Sequence, residues 1–364
     1  MAAWTLPQRI ADWINLLSAS LDQRSRKYLP VIVLGMILSS GRRTVSSWLR
    51  AAGVSDDWQD HYYFLQTLGR SAGRVATELL HLAVKQIPVS HIGPYVKLAI
   101  DDSPTKRYGP KVQLAGIHHN PTPGPSGSEF LYGHVWVTIS WLVKHPMWGG
   151  IGLPLRALMY ARHKDLQVLQ NLGLAPWSFR TKLELAAELV EWCVNLFGNW
   201  FHRPVMVIAD GAYAKRPFLS RVIKTGAIVV SRLRKDAALF DLPETIIEAV
   251  ADRSAIEQNF HDVKEVHGSG QQQVRNVWCN VACWNLCLWM HTIVELWSWR
   301  RSGNTLKQRA DRPWDEPSRR PSHADRLKTL RKHVLHESFS RLPPIQRTKR
   351  KIQALFKALT RLAT

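Results

Sequence analysis

The chain has 364 residues, a formal net charge of +21 and a sequence pI of about 10.2. Hydrophobic residues make up 45% of it and charged residues 21%, which excludes wholesale disorder and predicts a sizeable core. The most apolar run, Tyr28 to Leu38, is shorter than the roughly 20 residues that a membrane-spanning helix needs. Residues 1–21 lack the pattern of a signal peptide, so we expect a cytoplasmic protein without a membrane partner.

The excess positive charge is unevenly distributed. Residues 1–92 and 93–299 each carry +4, whereas residues 300–364 carry +13. Such a charge predicts a polyanionic partner, with nucleic acid favoured over an acidic membrane surface and a merely solvated tail as the alternative. We expect this last segment to be helical in pieces and tethered rather than fully packed.

Residues 1–92 are predicted to be helical and to form a DNA-binding region. Apolar residues recur there at spacings of three and four. Arg42 and Arg43 precede Thr44, which suits the N-cap of a short basic helix. That helix indicates either part of a helix-turn-helix or an ordinary helical bundle, and we expect the two arginines to contact DNA.

From residue 95 onward the sequence pattern becomes typical of β-strands. The pattern predicts three strands in succession, then strands that alternate with helices, in an α/β domain over residues 93–299. The predicted order is β-β-β-α-β-α-β-α, with strands at 96–100, 112–117, 132–143, 205–209 and 227–233 and helices at 181–197, 216–223 and 252–265.

A long Trp-rich helix is predicted from Val274 to Trp299. Cys279, Cys283 and Cys287 lie along one of its stripes, followed by His291. A soft metal site is conceivable there, but a reduced, buried helix face is favoured because the neighbouring residues are typical of a core.

Two predicted strands end in carboxylates. Asp101 and Asp102 follow the first strand, and Asp210 follows a later one. Functional groups of open α/β sheets gather where strands end in loops. Because adjacent strand residues face opposite ways, either Asp101 or Asp102 could face the site, and Asp101 is favoured.

A third carboxylate, Glu257, lies on a predicted helix between Arg253 and Lys264, at a spacing that places all three on one face. Taken by itself, this pattern would be explained by a solvent-exposed helix face that carries ion pairs. Together with the two strand-end aspartates, it predicts a site for two hard ions, Mg²⁺ or Mn²⁺, that activate a nucleophile on a phosphodiester. The predicted phosphate contacts are Arg253, Lys264, Lys106, Arg107, Arg232 and Arg234.

These residues resemble the DDE transposases of bacterial insertion sequences. Arg253-x3-Glu257-x6-Lys264 is similar to the Tyr-Arg-Glu-Lys signature of one subgroup, with Val250 at the tyrosine position. Segments 100–103 and 207–213 resemble the two aspartate motifs. Little room is left for an insertion between the last strand and the acidic helix.

The resemblance implies a ribonuclease H-like mixed sheet flanked by helices, with helical N- and C-terminal regions. It implies that Asp101, Asp210 and Glu257 are catalytic and bind the metal ions. Residues 300–364 would then contact DNA or form a dimer. A dimer would bind terminal inverted repeats, cleave there and transfer the 3′-hydroxyl to target DNA. The alternatives are a nuclease of the same fold without strand transfer and an inactive DNA-binding relic.

Overall fold

The computed structural model describes residues 4–120, 127–174, 177–198, 200–231, 244–307, 316 and 319–340. The α-helices within these ranges are α1 (Gln8–Ala19), α2 (Tyr28–Leu38), α3 (Val45–Ala51), α4 (Trp58–Arg70), α5 (Ala72–Gln86), α6 (His163–Asn171), α7 (Lys182–Phe197), α8 (Arg216–Lys224), α9 (Glu244–Asp252), α10 (Ser254–Glu265), α11 (Val277–Ser298), α12 (Gly303–Leu306) and α13 (His323–Ser340). The strands are β1 (Val96–Lys106), β2 (Gly116–His119), β3 (Phe130–His145), β4 (Gly149–Tyr160), β5 (Val205–Ala209) and β6 (Ile228–Ser231). Residues 1–92 are helical as predicted, and the hydroxyl of Thr44 caps α3 by accepting from the amide of Ser47.

These strands form one mixed sheet. At its centre, β1 pairs with β5 in parallel and with β3 antiparallel, and β6 continues the parallel side. On the far edge of β3, both β4 and β2 pair antiparallel. The resulting order, β4 and β2, then β3, β1, β5 and β6, is that of a ribonuclease H-like sheet, and helices flank it. The predicted fold class is therefore confirmed.

The predicted element order is wrong between β3 and α7, where β4 and α6 were not expected. β4 starts with three glycines among four residues and contains Pro154, a composition typical of turns. Its pairing with β3 explains how the proline fits, because the register shifts opposite Pro154, between Ile139 and Ser140, and leaves an irregularity there. The first predicted strand is also too short, since β1 continues past Asp101 to Lys106 while it stays paired with β3.

The central packing element is α11, which packs against β4, α4, α5 and α13. All its residues except Trp278 are buried, and its three cysteines are free thiols in the core, as favoured above. By length and composition α11 could cross a membrane, but 94% of its apolar window is buried inside the protein, as in any core helix. An apolar surface all round is what a fully enclosed helix requires.

The expectation of a tethered C-terminal tail is wrong for α13. Arg326 and Arg331 of this basic helix are 5% and 6% exposed. Arg326 pairs with the buried Glu295 of α11 at 2.6 Å, and Arg331 donates to the carbonyl oxygens of Ile37 and Ser39 at 2.7 and 2.8 Å. These cations therefore bind protein groups, and the segments 341–364 and 308–315 lie outside the described residues.

The crossing of α4 and α11 leaves no room for a side chain at Gly69. A Cβ there would lie 2.0 Å from the carbonyl oxygen of Trp278. We expect Gly69→Ala to lower the free energy of unfolding by about 1–3 kcal/mol because backbone must move. In the control Gly303→Ala the added methyl lies 3.9 Å from its nearest neighbour, so stability should not fall. Urea denaturation measures both, and equal stability of Gly69→Ala and the natural chain would contradict the packing.

Candidate active site

Asp101, within β1, and Asp210, directly after β5, lie on neighbouring strands. Ile100 of β1 and Ala209 of β5 are the last residues that pair in parallel. Asp101 directly follows Ile100, and Asp210 directly follows Ala209. Asp210 keeps an extended backbone, with φ −69° and ψ 159°. Residues in register on parallel strands about 4.8 Å apart point to the same face. The parallel ladder thus places Asp101 and Asp210 at neighbouring positions of the sheet, while these two and Glu257 do not form a cluster of ligand atoms within 4.8 Å among the described residues.

Two contacts hold helix α10 against the sheet, one just before its start and one in its middle. Before it starts, Asp252 forms a 2.8 Å ion pair with Lys97 of β1, which lies on the same face as Asp101. In its middle, the amide of Asn259 contacts the hydroxyl of Ser140 at 3.1 Å. A Cβ at Gly152 would come within 2.4 Å of that amide, so the glycine allows the helix to approach β4 closely.

Arg253 joins two of the predicted site carboxylates. Its Nη2 donates to Oδ2 of Asp101 at 2.9 Å, and its Nη1 lies 3.3 Å from Oε1 of Glu257. The Asp101 side chain is 18% exposed and that of Glu257 60% exposed. The guanidinium occupies the place of a cation between carboxylate oxygens, a donor type that suits a hard divalent ion.

The charged form of Asp101 is disfavoured where it lies. Burial raises the pKa of this carboxyl to about 6, and the opposing effect of Arg253 compensates only in part. A buried carboxyl with a raised pKa beside a specific charged partner is typical of functional sites, because a bound cation would favour its ionised form.

Asp102 faces the other side of the sheet and has different partners. Its Oδ2 lies 2.7 Å from the ammonium of Lys182 at the start of α7. Its Oδ1 accepts from the hydroxyl of Tyr213 at 2.9 Å. Burial, with the nearby carboxylates, raises the pKa of Tyr213, which keeps this hydroxyl protonated and able to donate.

Lys182 and Tyr213 were not predicted as site residues. Tyr213 lies three residues after Asp210, and a short 3-10 turn, Gly211–Tyr213, carries its ring beneath the sheet. That proximity in sequence is the signal that could have identified it. No local signal could have identified Lys182, because it is separated from its partner Asp102 by 80 positions in the sequence.

Three predicted phosphate-binding cations line one groove. Arg42, Lys106 and Lys264 come from the α2–α3 connection, the end of β1 and the end of α10. The groove has a volume of about 720 Å³, and the exposed ring of Tyr108 also lines it. Burial lowers the pKa of the Lys264 ammonium. The groove therefore offers cations and an aromatic ring at one end of the sheet.

The other predicted DNA contacts have different positions. The Arg107 guanidinium is buried and donates to Nδ1 of His134 and to the carbonyl oxygens of Gly270 and Gln272, at 3.2, 3.2 and 2.9 Å. Arg43 is half-buried, and its amide donates to the side chain of Gln271. These two arginines hold the 268–272 loop. Arg232 and Arg234 lie outside the described residues.

The pKa of Asp101 has a measurable consequence for stability. Between pH 3.8 and about 6 the folded chain binds this proton more tightly than the unfolded chain, so ionisation costs stability as pH rises through about 6. Asp101→Asn removes that cost. Relative to the natural chain without metal, we expect the variant to gain about 1 kcal/mol more stability at pH 7.5 than at pH 5. Chemical denaturation in a chelator at both pH values tests this, and a difference independent of pH would contradict the raised pKa.

Comparison with known families identifies one family that matches most of the chain. Residues 16–255 match the family model of the DDE superfamily endonucleases. The match contains Asp101, Asp210 and Arg253 and ends two residues before Glu257. No curated protein matches the chain significantly. Because the match spans well over half of the chain, the protein belongs to the DDE superfamily endonuclease family.

Proposed function

We propose that the protein is the DNA transposase of an insertion sequence. It would bind the terminal inverted repeats of its element, hydrolyse phosphodiesters there, and transfer the freed 3′-hydroxyl ends to target DNA. The observation that supports the proposal is the bond of Arg253 to Asp101, with Glu257 3.3 Å from the same guanidinium and Asp210 directly after the neighbouring strand, in a DDE superfamily endonuclease.

Asp101, Asp210 and Glu257 are the proposed metal ligands. Two Mg²⁺ or Mn²⁺ ions would activate the attacking water or hydroxyl and neutralise the leaving oxygen. Asp102 is the alternative ligand to Asp101. Asp101 is preferred because it shares its face with Arg253, whereas Asp102 already binds Lys182 and Tyr213.

Arg253 has a second proposed role. In the metal-free chain its guanidinium neutralises Asp101 and Glu257. Once cations satisfy these carboxylates, the guanidinium can donate to a neighbouring phosphate with its paired N–H groups. Since Glu257 is largely exposed, its side chain can turn toward Asp101 without disturbing the core.

The groove lined by Arg42, Lys106 and Lys264 is the proposed path of the DNA backbone. Its three cations would bind successive phosphates, and the exposed ring of Tyr108 offers a surface on which a base can stack. Arg232 and Arg234, together with the basic residues after position 340, would extend this contact. We further propose that two copies assemble on DNA in the cytoplasm, at the nucleoid, because two element ends must be joined.

A metal-dependent nuclease without strand transfer is the second candidate, and the description of the family as endonucleases favours it. An inactive DNA-binding relic is the third, and Val250 at the tyrosine position of the signature bears only on the share of that tyrosine in holding DNA phosphate. A supercoiled plasmid that carries the element ends distinguishes these functions. Excision with joining supports the transposase, nicking alone the nuclease, and retardation without cleavage the relic.

The carboxylate assignment is tested by Glu257→Gln. Loss of one ligand charge should lower Mg²⁺-dependent cleavage at least about 100-fold, because metal-based charge stabilisation is worth several kcal/mol. The matched control is Glu248→Gln in the preceding helix, α9. The exposed side chain of Glu248 lies 3.9 Å from Lys144 of β3, and this variant should cleave at the natural rate. Cleavage by Glu257→Gln at the natural rate, from a folded protein, would remove Glu257 from the site.

The groove is tested by salt-dependent binding to DNA of arbitrary sequence. Combining Arg42→Gln, Lys106→Gln and Lys264→Gln should reduce the slope of log K against log salt by about 0.9 for each phosphate that the variant no longer binds. Arg24→Gln, at an exposed residue outside the groove, is the control for removal of one charge. An unchanged slope in the triple variant would place the DNA path elsewhere.

A further inference from the structure

A second cluster of ligand-type side chains lies inside the protein, away from the strand-end aspartates. Asp262 of α10, His291 of α11 and His323 of α13 each present a ligand atom, and these atoms lie within 4.8 Å of one another. All three side chains are buried, with 7%, 2% and 5% exposure. His267, which follows α10, adds an Nε2 atom 2.8 Å from Nε2 of His323.

We propose that Asp262, His291, His323 and His267 bind one structural zinc ion, or a chemically similar divalent transition metal. The set offers one carboxylate and three imidazoles on three separate stretches of chain. Imidazole with carboxylate suits Zn²⁺ at tetrahedral sites, whereas Mg²⁺ prefers oxygen ligands and water. A closed set of four protein ligands is typical of structural rather than catalytic zinc.

The tautomer of His323 supports a metal ligand. Its Nδ1 lies 2.7 Å from Oε1 of Glu295, an ionised carboxylate that pairs with Arg326. Glu295 accepts the proton on Nδ1, so the lone pair of Nε2 points into the cluster. A carboxylate that orients a histidine in this way is the usual second layer of a metal site.

The charge of the cluster also calls for a cation. The Asp262 carboxylate accepts from the side-chain amide of Gln258 at 3.0 Å. Its described ion pairs are with histidines, His291 at 3.5 Å and His261 at 3.4 Å, rather than with a lysine or arginine. A buried carboxylate that lacks a permanent positive partner is costly unless a metal ion supplies the charge.

Hydrogen bonds alone leave this cluster incomplete. One proton can be shared between the Nε2 atoms of His267 and His323. Within the described residues, however, Nδ1 of His291 is buried and has no partner. The rings of His291 and His323 stack at 4.0 Å and are nearly parallel, so one ring must tilt before the lone pairs of both can point at one ion. For His267 and His323, metal–nitrogen bonds of 2.0–2.1 Å need the two Nε2 atoms, now 2.8 Å apart, to separate by about 0.5 Å.

The location gives the ion a function in the architecture. Asp262 lies five residues after Glu257 on α10 but on its buried side, so the ion would lie behind the catalytic face. It would attach α10 to α11 and α13. Because the proposed ligands exclude Asp101, Asp210 and Glu257, this inference does not rest on the proposed function.

The first test is the metal content of the full chain, purified after expression with zinc. Mass spectrometry of metals should find about one zinc per chain, and the double variant Asp101→Asn/Asp210→Asn should retain it. His291→Gln should fall below about 0.2 zinc per chain, while the control His333→Gln, on α13 but outside the cluster, keeps the natural content. Loss of zinc from the double variant, or its retention in His291→Gln, would overturn the assignment.

The second test does not require any variant to fold. Natural protein freed of metal by a chelator should melt several degrees lower, and Zn²⁺ but not Mg²⁺ should restore the melting temperature. Co²⁺ should give the visible absorption of a tetrahedral site, which Zn²⁺ displaces at about one equivalent. Folded natural protein that contains no zinc and gives no cobalt spectrum would show that the cluster is a hydrogen-bond network.

Discussion

The site depends on the burial of one carboxyl group in the sheet. The in-register pairing of β1 and β5 ends at Ile100 and Ala209, so the backbones of Asp101 and Asp210 cannot move apart without loss of ladder hydrogen bonds. Burial raises the pKa of Asp101 to about 6, and the neighbouring Asp102 carboxylate adds to this, so the ionised form of Asp101 is costly. Positive groups must compensate, and Arg253 does so between Asp101 and Glu257. A site that needs a cation before substrate arrives is poised to bind a metal ion.

The basic residues that give the chain its net charge of +21 are of two kinds. Arg107, Arg326 and Arg331 are buried and satisfy carbonyl, imidazole or carboxylate groups of the protein. Their hydrogen bonds hold loops and α13 in place, and desolvation lowers the pKa of Arg107 and of Arg331. Arg42 and Lys106, by contrast, line an open groove. The surplus that can attract DNA is therefore smaller than the sequence total, and part of it lines this groove at one end of the sheet.

The sequence predicted the features that depend on residues close together in the chain. The helical spacing of residues 1–92, the Thr44 cap and the apolar α11 follow from periodicity and capping, and the strand-end position of Asp210 follows from one short apolar run. β4 was missed because its glycines and Pro154 make sense only once α10 and β3 lie beside them. Contacts between distant segments, such as Lys182 with Asp102 or His323 with His267, leave no local pattern at all. For the same reason the burial of Arg107 could not be distinguished from the exposure of Lys106.

Helix α10 combines two opposite requirements along 12 residues. Its outer face carries Glu257, exposed and able to reorient as charge in the site changes. Its inner face carries Ile256, Asn259 and Asp262, which are buried against the sheet, α11 and the histidine cluster. Mobility of one side chain is useful to catalysis only if the backbone beneath it does not move, since small displacements of catalytic groups cost large factors in rate. The rigid inner contacts therefore hold the backbone of Glu257 in place while its side chain reorients, and the proposed ions on the two faces differ in chemistry.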